Sequence, residues 1–140
     1  MADETRLREM SFARRYQELA SIFRFVDDFF DAESIDRKHR AVIYLAVEEL
    51  FTNMVKYHSN NDQKIVVALR HAGRELSVSL TDFDVDRFDP TSRPDVDVSL
   101  PLDARRPGGL GIHLIKVLTD RVEYEYVDRR STTTFFKTLE

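Results

Sequence analysis

The strongest constraint on this chain is where its glycines lie. Three of its four glycines fall within residues 108–111, directly before an apolar segment with helical spacing. Glycine suits tight turns and close approaches of the backbone, and a helix N-terminus directs N–H groups and a positive dipole end at anions. The pattern therefore predicts a short helix over 109–118 whose start can bind a phosphate, with Arg105 and Arg106 adding charge. A loop-to-helix turn without any ligand would have the same pattern.

Composition narrows the class of protein. A chain of 140 residues is expected to form one domain with a substantial core, and its net charge of −4 argues against a general nucleic-acid binder. It has no cysteine, which excludes disulfides and cysteine-based metal sites. The N-terminus lacks the features of a signal peptide, and no apolar run reaches membrane-spanning length. These features predict a soluble cytoplasmic domain over 1–140 that binds neither nucleic acid nor membrane.

Hydrophobic periodicity predicts eight main elements. A strand is expected over 6–12, a helix over 13–31, and a second helix over 35–58 that Ser34 caps. A hairpin of strands 64–70 and 75–81 follows, then an irregular loop over 85–107, the helix over 109–118, and strands 122–127 and 132–139. This order predicts an α/β fold: a two-layer sandwich of a mostly antiparallel sheet with helices on one face.

The second predicted helix carries a polar stripe. Glu49, Asn53 and Tyr57 are spaced by four residues, so they share one side of the helix, next to its apolar side. Oxygen ligands such as those of Asn and Glu suit Mg²⁺, which keeps several waters and binds nucleotide phosphates. A solvated polar stripe on an amphipathic helix is the alternative interpretation.

Taken together, the two motifs resemble a known family. The helix stripe Glu49-x-x-x-Asn53-x-x-x-Tyr57 and the downstream Gly108-Gly109-Leu110-Gly111-Ile112 are similar to the N box and the second glycine box of the GHKL ATPases. Within that superfamily the chain resembles the bacterial anti-sigma-factor serine/threonine kinases. The phrase Phe88-Asp89-Pro90 also fits in order, and the resemblance spans roughly residues 6–137.

The resemblance implies specific roles for matched residues. Asn53 would coordinate a Mg²⁺ that bridges the phosphates of ATP, and Glu49 would act as general base toward the attacking hydroxyl. Asp82 would accept a hydrogen bond from the adenine amino group, and Thr133 or Thr134 would lie near the adenine base. The second glycine box would meet the phosphates through Gly109, Leu110, Gly111 and Ile112.

One segment departs from the family pattern. The first glycine box usually reads Asp-x-Gly-x-Gly, whereas this chain has Asp82-Phe83-Asp84-Val85-Asp86, without glycine and with one extra residue before Phe88. Carboxylates near a triphosphate are unfavourable unless they hold a metal or face solvent. Either the loop takes another route and leaves Asp82 in place, or nucleotide affinity is weak and the domain acts by binding. A solvated turn would also account for Asp84 and Asp86.

The resemblance therefore implies a serine/threonine kinase and anti-sigma factor. It would bind Mg-ATP, phosphorylate an anti-sigma-factor antagonist, sequester a sigma factor and form a homodimer. The altered first box keeps open a non-catalytic module that sequesters a regulator with weak or no ATP turnover. A detached ATP-binding domain of a histidine kinase is a further alternative.

Overall fold

The predicted order of elements is confirmed by a computed structural model, which describes residues 5–57, 61–87 and 109–140. Three helices and five strands follow one another in the expected sequence. They are β1 (Thr5–Phe12), α1 (Leu19–Ala32), α2 (Arg40–Tyr57), β2 (Ile65–Ala72), β3 (Glu75–Phe83), α3 (Gly109–Leu118), β4 (Arg121–Val127) and β5 (Arg130–Thr138).

The five strands form one sheet in the order β1-β2-β3-β5-β4, and every neighbouring pair is antiparallel. Side chains alternate between the two faces of a strand, so Val78 and Leu80 share one face and Ser79 and Thr81 the other. Val78 and Leu80 are fully buried, whereas Ser79 and Thr81 are partly exposed. The predicted α/β fold, with a largely antiparallel sheet covered on one face, is therefore confirmed.

The core fills the space between this face and the helices. Its members are aliphatic and phenylalanine side chains that are almost completely removed from water, including Phe29 and Phe30 of α1, Leu50 and Phe51 of α2, and Phe135 of β5. Burying a large apolar side chain contributes about 1.5–3 kcal/mol each. This packing fixes the side of α2 that faces the sheet, and so fixes the direction in which its polar stripe points.

The predicted cap at Ser34 is wrong. Ser34 has φ of 53°, and the N–H of Ile35 donates to the carbonyl of Phe30 at 2.9 Å, which is the pattern that closes α1 at its C-terminus. Asp36 is the capping residue instead, because its side chain accepts a hydrogen bond from the N–H of Lys38 at 2.9 Å.

Both long helices also start later than the periodicity predicts. A short 3₁₀ turn, Tyr16–Glu18, precedes α1, and another, Arg37–His39, precedes α2. Short 3₁₀ segments are common at helix ends, and they continue the apolar spacing closely enough to be read as helix.

Two hairpins of the sheet have two-residue turns. The turn between β2 and β3 uses Gly73, whose φ is 60°. The turn between β4 and β5 uses Asp128 and Arg129, with φ of 51° and 62°, the combination that a type I′ turn requires. Arginine is unusual in that conformation, and its side chain is held from outside the hairpin, as described below.

Three sequence predictions fall on residues that the structure does not describe. These are the Phe88-Asp89-Pro90 phrase, the Arg105-Arg106 pair and most of the predicted loop over 85–107. Across the three described ranges, each helix is too short or too polar to cross a bilayer.

Candidate functional site

The polar stripe of α2 lies at the border of the core. Glu49 and Asn53 are both half-buried, and the amide nitrogen of Asn53 donates to Oε1 of Glu49 at 3.5 Å. Tyr57, one turn further, is 41 % exposed. Adjacent positions Leu50 and Met54 pack into the core and so fix the rotation of the helix. The carboxylate and the carboxamide are thus paired one turn apart, at positions that are neither fully buried nor fully exposed.

Asp82, near the end of β3, is fully buried and lies on the helix-facing side of the sheet. Its two carboxylate oxygens both accept hydrogen bonds from the guanidinium of Arg14, Oδ1 from Nη2 and Oδ2 from Nη1, the latter at 3.4 Å. Nη1 also donates to the carbonyl oxygen of Met54 at 3.0 Å. Arg14 therefore joins the end of β3 to the turn of α2 that carries Asn53.

Thr133 of β5 lies next to Asp82 on the same face. It pairs with Leu80 of β3 while Ser131 pairs with Asp82, so Thr133 and Asp82 are diagonal neighbours across the two strands. Thr133 is 2 % exposed. Thr134, the other candidate, has its side chain on the opposite face of the sheet. Of the two threonines, only Thr133 is on the side where Asp82 and α2 meet.

The segment after β3 keeps the backbone conformation that a glycine would provide. Asp84 stands at the third position of the box, where the family pattern has its first glycine, and has φ of 57°. Aspartate adopts this left-handed conformation more readily than most residues, because its short polar side chain bonds locally. Asp84 thus adopts a conformation that glycine also adopts readily.

The carboxylates of this segment bind Arg129 of the β4–β5 turn. Asp84 and Asp86 are exposed, and both accept hydrogen bonds from the guanidinium of Arg129 at 2.9 Å. These two carboxylates raise the pKa of Arg129 through their hydrogen bonds. The segment is therefore attached to the β4–β5 hairpin, where one guanidinium binds both carboxylates.

Further contacts fix the same segment. The N–H of Val85 donates to the carbonyl of Arg129 at 3.0 Å, and the carbonyl of Val85 accepts from the hydroxyl of Tyr126 at 2.8 Å. Asn61 donates through its amide to the carbonyl of Phe83 at 2.6 Å. The Arg87 guanidinium lies 5.6 Å from the centre of the Tyr124 ring. Tyr124 pairs directly with Thr133, so this segment borders the face that carries Asp82.

The glycine motif begins α3 as predicted. Gly109, Leu110, Gly111 and Ile112 form its first turn, although their side chains lie outside what the structure describes. The helix packs against α2, and its Ile115 is buried in the core. α3 is thus held against the helix that carries Glu49 and Asn53.

The arrangement offers oxygen ligands of the kind that Mg²⁺ prefers. With the amide nitrogen of Asn53 directed at Glu49, its carbonyl oxygen is the atom directed elsewhere. No group of three or more His, Cys, Asp or Glu side chains is placed to hold a metal within the described residues. The oxygen atoms of Asn53 and Glu49 suit a metal that keeps several waters and binds nucleotide phosphates.

Sequence reasoning missed the residues that support this region. Arg14 lies in a connection that was predicted to be helix, so nothing indicated that its side chain is 4 % exposed. Tyr126 and Arg129 lie in the closing hairpin, and their contacts with the segment after β3 join residues more than forty positions apart. An arginine at a two-residue turn was the one available signal, because that position disfavours it unless its side chain is held.

Comparison with known proteins gives a family and a fold. The family model of the histidine kinase-like ATPase domain matches residues 12–137. In fold the chain is similar to the crystal structure of the RsbU and RsbW domains of Rv1364c from Mycobacterium tuberculosis, with a TM-score of 0.68 and 16 % sequence identity. That match covers 96 % of this chain and 32 % of the other, so the chain spans about a third of that structure.

No curated protein matches the chain. The family model nevertheless covers the strands and helices from the last residue of β1 almost to the end of β5, including α2 and the start of α3. The chain therefore belongs to the family of histidine kinase-like ATPase domains.

Proposed function

We propose that this domain is an ATP-dependent serine/threonine protein kinase of a partner-switching pathway. The observation that carries the proposal is the half-buried pair of Glu49 and Asn53, set one turn apart on α2, the helix against which α3 packs. Membership in an ATPase family supports a nucleotide as the ligand. The specificity for serine or threonine rests on the resemblance of the motifs to the anti-sigma-factor kinases.

Each residue has a distinct task in this proposal. The carbonyl oxygen of Asn53 would hold Mg²⁺, and the N–H groups of Gly109 to Ile112 would bind phosphate oxygens at the positive end of α3. The Glu49 carboxylate would accept the proton of the substrate hydroxyl as that oxygen bonds to the γ-phosphorus and the bond from this phosphorus to the bridging oxygen breaks, which releases ADP. Asp82 and Thr133 would lie beside the adenine base of the nucleotide. When bound, Mg-ATP supplies the phosphoryl group and the charge that offsets negative charge in the transition state.

The substrate and partners follow from the same family resemblance. The hydroxyl belongs to a serine or threonine of an anti-sigma-factor antagonist, and a sigma factor competes with that antagonist for the domain, which acts as a cytoplasmic homodimer. Such a switch requires that each partner's affinity depend on the nucleotide or phosphorylation state. A new phosphoserine would be repelled by the nearby Glu49 carboxylate, which would favour release of the product.

The test is a transfer assay with two matched variants. The protein is incubated with Mg-ATP and a candidate antagonist from a neighbouring gene, and phosphoserine or phosphothreonine is detected by mass spectrometry. Glu49→Gln should lower transfer at least a hundredfold while ATP binding by calorimetry changes little. Glu48→Gln is the control, because Glu48 is adjacent but exposed. Equal transfer by Glu49→Gln and the wild type would contradict the proposed role of Glu49 as general base.

A second candidate function is a non-catalytic module that sequesters a regulator. It is favoured by one observation, the occupation of both oxygens of Asp82 by Arg14. If calorimetry detects no binding of Mg-ATP while the antagonist or sigma factor still binds, this function replaces the kinase. A histidine kinase's detached domain would instead transfer phosphate to a histidine of a separate helical partner.

A further inference from the structure

Arg14 and Asp82 form a buried ion pair at the position that the proposed function assigns to the nucleotide base. Asp82 is 0 % exposed and the Arg14 side chain 4 %. Nη2 of Arg14 donates to Oδ1 of Asp82 and Nη1 to Oδ2, while Nη1 also donates to the Met54 carbonyl. Asp82 is therefore held on both oxygens by a side chain from the connection that follows β1.

One N–H of Arg14, that of Nε, is available to a ligand. Nε of Arg14 is buried and has no hydrogen-bond partner among the described residues. A buried donor left unpaired is unfavourable, and most such groups in folded proteins are satisfied. This N–H suits an acceptor such as a carbonyl oxygen, and it does not suit an amino group.

The preference of the site for one nucleotide base over another changes when a guanidinium is hydrogen-bonded to the carboxylate. A carboxylate is an acceptor only, so it selects a base with an amino donor. Arg14 competes with that amino group for both oxygens of Asp82 and adds its own donors. A site built to bind a polar group rejects an analogue without it, and this selectivity is lost when the protein satisfies the group internally.

We propose that Arg14 is a specificity-determining residue that removes the preference of this domain for adenine over a 6-oxopurine. The inference rests on the proposed function, because it requires that nucleotide bind beside Asp82. In this chain the phosphates and Mg²⁺ then carry most of the affinity, and the base contributes little discrimination.

Two nucleotides provide a matched test. Inosine triphosphate carries a carbonyl oxygen where ATP carries the amino group, so its dissociation constant relative to that of ATP measures base selection directly. Calorimetry with Mg²⁺ should give wild-type constants that differ by less than fivefold. Arg14→Met should raise the preference for ATP to tenfold or more, since a hydrogen bond to a charged acceptor is worth at least about that factor. Arg15→Met is the control, because Arg15 is exposed.

The outcomes separate this inference from the proposed function. A wild-type preference for ATP of fivefold or more overturns the role of Arg14, and that measurement does not depend on whether the variant folds. An unchanged ratio in folded Arg14→Met also overturns it. If neither nucleotide binds the wild type or Arg14→Met, the proposed nucleotide site fails and the inference fails with it. Loss of phosphoryl transfer with both nucleotides still bound contradicts only the proposed kinase activity.

Discussion

Asp84 and Arg129 are joined by a side-chain hydrogen bond, and both have backbone conformations in the left-handed region. Both have positive φ, 57° and 62°, and Nε of Arg129 donates to Oδ1 of Asp84 at 2.9 Å. The backbone adds a second link, because the carbonyl of Arg129 accepts from the N–H of Val85. Two strained positions, one after β3 and one in the β4–β5 turn, are thus stabilised together beside Asp82 and Thr133, where the nucleotide base is proposed to bind.

The strain at Asp84 predicts how substitutions there affect stability. Asp84→Val should lower the free energy of unfolding by about 1–2 kcal/mol, because a β-branched residue is disfavoured at positive φ, whereas Asp84→Gly should stay within about 1 kcal/mol of the wild type. Urea unfolding measures both. Asp86→Val is the control, since Asp86 also binds Arg129 but does not have positive φ. Equal losses for Asp84→Val and Asp86→Val would show that backbone strain is not the cause.

The Arg14–Asp82 pair should be strongly coupled. Removing one member leaves a buried charge without its partner, so Arg14→Met and Asp82→Asn should each lower the free energy of unfolding by about 3–5 kcal/mol. The double variant should lose clearly less than the sum, because both charges are gone. A double-mutant cycle by urea unfolding measures the coupling. Additive losses would mean that the two side chains do not stabilise each other.

The turn between α3 and β4 should respond to acid. Hydrogen bonds from the Thr138 side chain, and then from its N–H, lower the pKa of Asp120 below its ordinary value. A carboxyl whose pKa is lower when folded stabilises the protein above its unfolded pKa, and this contribution disappears as pH falls through the folded pKa. Asp120→Asn should therefore lower the free energy of unfolding at pH 7, by less than about 1 kcal/mol because the group is solvent-screened.

The pH dependence is read from the difference between wild type and Asp120→Asn. That difference in unfolding free energy should be present at pH 7 and should decline as pH falls below the ordinary pKa of 3.8. A difference that stays constant over this range would mean that the stabilisation does not depend on ionisation of Asp120.

The order and type of the secondary-structure elements could be predicted because they depend on local sequence patterns. The alternation in β2 and β3, the spacing of apolar residues in α2 and the glycines at the start of α3 each reflect contacts within one element or one hairpin. The errors came where two local signals overlap. Ser34 precedes a helix and also follows one, and the buried pair of Phe30 and Ile35 decides that it ends α1.

Only part of the candidate site could be predicted from the sequence. Glu49 and Asn53 lie on one helix, so their spacing predicts that they are neighbours. The pairing of Arg14 with Asp82 joins positions 68 residues apart, and no periodicity encodes such a contact. The same holds for Asp84 and Arg129, which look like residues of two separate solvated turns until the sheet brings the turns together.

The central claim is that Asn53 and its surroundings bind a magnesium-nucleotide complex. The most direct measurement is calorimetric titration of ATP into wild type and Asn53→Ala, each with Mg²⁺ and with excess EDTA. The account predicts that wild type binds ATP with Mg²⁺, and that either EDTA or Asn53→Ala weakens binding at least tenfold. Equal binding by the folded Asn53→Ala variant and the wild type, or no binding by the wild type, would contradict it.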